Sequence, residues 1–85
     1  MRYRKRPAEI DAMLVPREAK RIAEVVDWMS GYGFRDFRTI DNGVAIKTAD
    51  GERLAGPGDW VVRDELGAFC VCSPCVFESR YEVVI

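Results

Sequence analysis

Histidine is absent from this chain. Its absence removes the commonest general base, the usual nucleophile–histidine dyads and most mixed zinc sites. Cysteine is scarce: there are three, all between positions 70 and 75, an odd number that suits no disulfide scaffold. No apolar run approaches the ~20 residues needed to cross a bilayer, so no membrane partner is expected. The N-terminus starts basic but has neither an apolar core nor a cleavage site, so it does not read as a signal peptide, and the expected address is cytosolic. A strong excess of either charge is also missing. Thirteen basic and 14 acidic residues leave a net charge of −1, which argues against a general nucleic-acid binder.

What is present suits a small globular fold. The chain has 85 residues, of which 48% are apolar, so it is expected to form one α+β domain over 1–85. Chains this short bury only about 60–65% of their unfolded surface, so the stability margin is small. The stretch Pro57–Tyr81 organises the rest. It holds Trp60, all three cysteines, Phe69, Phe77 and Tyr81, and it reads as a hairpin followed by a capped turn at Ser73-Pro74.

Ahead of it, Ala8–Val15 alternates in period two and reads as a strand, with Ile10, Ala12 and Leu14 on one face. Arg17–Met29 has the helical period: Ala19, Ile22, Ala23, Val26 and Met29 fall on one face, widened by Val25 and Trp28. Lys20 and Glu24 are spaced to pair across one turn. Gly31 or Gly33 supplies a left-handed exit. Phe34–Ile40 has no clean apolar face and reads as a loop or short strand. Asp41-Asn42-Gly43 is a turn, Val44–Thr48 a strand with Val44 and Ile46 inward, and Asp50-Gly51 a hairpin signal leading to Arg53–Ala55. Asp59–Arg63 and Ala68–Cys72 follow as strands, then one short helical turn within Pro74–Ser79, then a last strand over Tyr81–Ile85. The expected product is one amphipathic helix on a curved antiparallel sheet of about five or six short strands, paired mostly in sequential hairpins.

Candidate chemistry is sparse. Cys70-x-Cys72-x-x-Cys75 is the sharpest pattern, because clustered thiolates are soft metal ligands. Cys70 and Cys72 would share a strand face about 7 Å apart, with Cys75 folding back. A structural zinc site takes four ligands, and neither a second cluster nor a histidine is available. The simpler reading makes all three small apolar side chains, and no metal or other cofactor is expected. The carboxylates Asp59, Asp64, Glu65, Glu78 and Glu82 sit where turns and strand ends expect charge, and no motif links two of them, so the chain reads as a non-enzyme. Trp60 with Val62, and Phe69 with Val71, look like cross-strand core pairs. Candidate binding residues are the basic cluster Arg2, Arg4, Lys5 and Arg6, together with Trp60 and Arg63. The cluster serves equally well as a charged strand edge that discourages edge-to-edge pairing.

The ordered set Tyr3-Arg4-Lys5-Arg6-Pro7, Pro57-Gly58-Asp59-Trp60, then Gly67, Phe69, Cys72, Pro74, Phe77, Glu78, Tyr81 and Glu82 resembles a group of small proteins encoded by tailed phages and prophages. The resemblance covers nearly the whole chain. It departs at Ala68, where Glu is usual, and at Cys70 and Cys75, where an aromatic and an acidic residue are usual, so a three-cysteine metal site is not a property of that group. What the resemblance implies is a phage origin and a small α+β fold in the cytoplasm of a bacterial host cell. It carries no activity to this chain. The leading expectation is a non-enzymatic accessory protein that binds a bacterial host protein during takeover or defence evasion. A second is an oligomer that sequesters a nucleotide-type defence signal by aromatic stacking and by Arg side chains from Arg2–Arg6 or Arg63. A third is a minor virion component.

Overall fold

The computed structural model describes residues 10–81. Among them the chain runs β1 (Asp11–Leu14), a 3-10 turn (Ala19–Arg21), α1 (Ile22–Gly31), β2 (Phe37–Ile40), β3 (Gly43–Thr48), β4 (Gly51–Ala55), β5 (Trp60–Arg63), β6 (Phe69–Cys72) and α2 (Pro74–Arg80). The class is α+β, as the sequence pattern indicates. In place of one curved sheet there are two three-stranded antiparallel sheets, ordered β2-β3-β4 and β1-β5-β6. The basic segment Arg2–Arg6 and the expected strand beyond Tyr81 lie outside the described residues.

The division into two sheets is made at Gly56–Asp59. The Asp59 carboxylate accepts from the Gly56 amide at 2.9 Å, and the Asp59 amide donates to the Gly56 carbonyl at 3.0 Å. Gly58 has φ +89°, which this tight reversal requires. The Gly58 amide then donates to the Val15 carbonyl (3.0 Å), and the Val15 amide to the Asp59 carbonyl (2.9 Å). These bonds seat β5 against β1, in the register Met13↔Val61 and Leu14↔Trp60, instead of against the neighbouring β4. The sequential-hairpin expectation therefore holds inside β2-β3-β4 and for β5-β6, and fails for β1.

The core lies between the inner faces of the two sheets and α1. Val15, Val61 and Phe69 come from one sheet, Val44, Ile46 and Ala55 from the other, and Ile22, Val25 and Met29 from α1. Val44 and Ile46 point inward as expected. Two predicted faces are corrected. In β1 the inward side chain is Met13, continued by Val15, while Leu14 points outward and is 47% exposed. The pairing with Val61 dictates this, because a strand offers alternate residues to one face. In α1 the stripe centres on Ile22, Val25 and Met29, and Ala23 is exposed. The larger side chains win because they bury more apolar area than alanine.

Local pairing differs as well. Arg21 binds Glu24 at 3.2 Å, and Lys20 approaches Glu18 at 3.8 Å, in place of a Lys20–Glu24 pair. The 3-10 turn at Ala19–Arg21 shifts the spacing away from i,i+4. At its other end α1 closes with the Phe34 amide on the Met29 carbonyl (3.3 Å) and the Gly33 amide on the Ser30 carbonyl (2.9 Å), with Gly33 at φ +82°. That is the Schellman closure expected of a glycine exit.

Candidate functional site

The outer face of β1-β5-β6 is the most unusual surface. Antiparallel register sets Trp60 opposite Cys72 and Val62 opposite Cys70, and places Leu14 beside Trp60. Trp60 and Val62 therefore do not pair with Phe69 and Val71, which belong to the inner face. The correction follows from pairing parity: Val61↔Val71 and Arg63↔Phe69 form the other set.

Helix α2 lies over this outer face. Ser73 is extended before it and Pro74 occupies its first turn, where a missing N–H costs nothing. Phe77 stacks on Trp60 with ring centres 4.1 Å apart and planes at 7°. Tyr81 continues the stack from Phe77 at 5.1 Å. None of the α2 residues is fully buried, and Val76 is 38% exposed. Leu14, Trp60, Phe77 and Val76 thus leave apolar surface in water outside the core.

The thiols are divided by this arrangement. Cys72 is buried, Cys70 half-buried and Cys75 exposed on the first turn of α2, and all three are free. Burial first, then neighbouring Cys72, pushes the Cys70 thiol above its ordinary range. Burial, then the same two sulfurs, also pushes up the Tyr81 hydroxyl. A raised thiol is a poor nucleophile. Among the described residues no three Cys, Asp or Glu gather closely enough to hold a metal ion.

Arg63 stands on the opposite face of β5 from Trp60. Its guanidinium carbon lies 4.2 Å from the centre of the Tyr32 ring, and the Tyr32 hydroxyl donates to the Asp11 carboxylate at 3.2 Å. Gly67, at φ +85°, leaves room for this side chain, since a Cβ there would sit 3.3 Å from Arg63 Nη2. Tyr32 also joins Trp28, Phe34 and Phe69 in an aromatic cluster, with Trp28 edge-on to Phe69 at 5.6 Å. Of the residues singled out for binding, Trp60 and Arg63 are not brought together, and the basic cluster lies outside the described residues.

The carboxylates serve the fold. Asp64 accepts from the amides of Leu66 and Ala68, each at 2.9 Å, and so closes the β5–β6 turn. Asp59 holds the Gly56 turn, and Glu52 pairs with Arg38 at 2.7 Å. No two of these carboxylates bond to one another or share a partner. Sequence reasoning missed the Leu14–Trp60 neighbourhood, which depends on a pairing between distant strands. It also shortened α2, although Ser73-Pro74 is a recognisable helix start.

The chain matches no family model, no curated protein and no solved structure. No helix among the described residues is long and apolar enough to cross a membrane.

Proposed function

We propose that this chain is a phage or prophage accessory protein without catalytic activity, and that it acts by binding a bacterial host protein in the cytoplasm. The observation that carries the reading is the exposed apolar surface around Trp60. Leu14 is 47% exposed and Val76 38% exposed, on either side of the Trp60–Phe77 stack. Aromatic and aliphatic side chains left in water beside one another are the usual anchors of a protein interface. The sequence resemblance to small phage proteins supplies the setting. The competing reading, an oligomer that sequesters a nucleotide-type signal, needs aromatic and Arg side chains in one pocket. Trp60 and Arg63 stand on opposite faces of β5, so one copy cannot supply both to a ligand.

The test is site-specific photo-cross-linking in bacterial cells, with the reactive group at position 14 and a control at exposed Lys47. One defined host-protein adduct from position 14, absent from position 47 and lost in Phe77→Asp, supports the reading. Adducts only between copies of the chain, or only with virion proteins, overturn it.

A further inference from the structure

A second feature, independent of the outer face, is an open groove between β4 and β6, lined by Thr48, Asp50, Leu54, Ala68, Phe69 and Val71. Both walls are sheet edges: β4 ends one sheet and β6 ends the other. No backbone hydrogen bond joins them among the described residues.

Register fixes which backbone groups face the groove. The β3–β4 hairpin closes with Thr48 opposite Gly51, so Ile46↔Arg53 and Val44↔Ala55 exchange hydrogen bonds. The N–H and C=O of Glu52 and Leu54 therefore point away from β3. In β6, the Asp64 amide donates to the Ala68 carbonyl at 2.9 Å, so Val62↔Cys70 and Trp60↔Cys72 are the bonded pairs. The backbone groups of Phe69 and Val71 point away from β5. Two sets of unpaired strand groups thus flank one groove. A row of such groups is a template for a further strand.

The geometry points to a strand-accepting site: the groove takes an extended segment of a partner polypeptide, which adds to the β4 and β6 edges. A small molecule or a helix cannot satisfy alternating donors and acceptors along an edge, whereas an extended backbone can. Leu54 is 61% exposed at the groove and offers an apolar contact to every second residue of such a segment. Asp50 at the hairpin tip makes no ion pair among the described residues, so a Lys or Arg on the segment's end suits that position. The bound segment is proline-free, apolar at alternate positions, and basic at the end beside Asp50. This assignment does not depend on the host-protein reading of the outer face.

The test uses the full chain and a displayed library of random linear peptides, followed by hydrogen exchange with the best-enriched peptide. The expected result is enrichment of proline-free alternating sequences that slow exchange at the Leu54 and Val71 amides. Leu54→Pro removes an outward N–H on an edge, where proline is tolerated by the fold. It is expected to weaken peptide binding about tenfold or more, while Leu14→Asp leaves it unchanged. Protection confined to the outer face, no enrichment, or binding indifferent to Leu54→Pro overturns the assignment. So does peptide binding that appears only after residues 82–85 are deleted, since the groove would then belong to the chain's own end.

Discussion

The rings of Trp60 and Phe77 lie parallel, 4.1 Å apart, and tie α2 to the outer face of β5. Phe77→Ala is expected to destabilise the protein by about 1–3 kcal/mol, less than a fully buried aromatic because both rings are half-buried. Denaturant unfolding checks the size, and hydrogen exchange along Pro74–Arg80 checks the place. Unchanged exchange in α2 would show that another contact holds it.

Gly43 faces the Ala55 backbone across the β3–β4 ladder, and a Cβ there would run into the Ala55 carbonyl. Gly43→Ala is expected to cost about 2–4 kcal/mol, because backbone on both strands has to shift. Gly31 in α1 has nothing within 4 Å of its Cβ position. Gly31→Ala is expected to stabilise by about 0.5–1 kcal/mol through helix propensity. The two alanines should move the denaturation midpoint in opposite directions.

The thiols should alkylate in the order Cys75, Cys70, Cys72, following their exposure. Mass spectrometry after timed iodoacetamide treatment reads the order. Cys70 carries a thiol pushed up by burial and by Cys72, so the folded state binds its proton more tightly than the unfolded state. Its contribution to stability is complete below the ordinary cysteine range and is lost as pH rises through the folded value. Cys70→Ser should flatten the loss of stability on the alkaline side.

Arg38 holds the Glu52 carboxyl below its ordinary range, chiefly by hydrogen bonding. Any contribution to stability is present above the ordinary carboxylate range and lost as pH falls through the folded value. Both side chains are exposed, so the effect is small and salt-screened. Carbon-detected NMR should find Glu52 titrating low in the parent and returning to the ordinary range in Arg38→Ala.

The local signals were legible. Gly33 ends α1 where a glycine exit was expected, Asp50-Gly51 turns the β3–β4 hairpin, and Val44 and Ile46 face the core. These depend on a few consecutive residues and on turn chemistry. The outward turn of Leu14 was not legible, because alternation in β1 allows either face, and only the distant partner Val61 decides. The Arg63–Tyr32 stack was hidden for the same reason, since its residues sit on separate elements. The shape of the outer face depends on that long-range pairing, so the candidate site was less readable than the fold class.

The pairing of Leu14 with Trp60 bears on how the chain is made. β1 leaves the ribosome early, but its partner emerges only after α1 and the whole of β2-β3-β4. Until then β1 carries two unsatisfied edges, while the intervening meander can assemble from neighbouring residues alone. Closing so wide a loop is entropically slow compared with forming hairpins. The meander is therefore the early-folding unit, and the β1-β5-β6 sheet, with the apolar surface around Trp60, is completed last during synthesis.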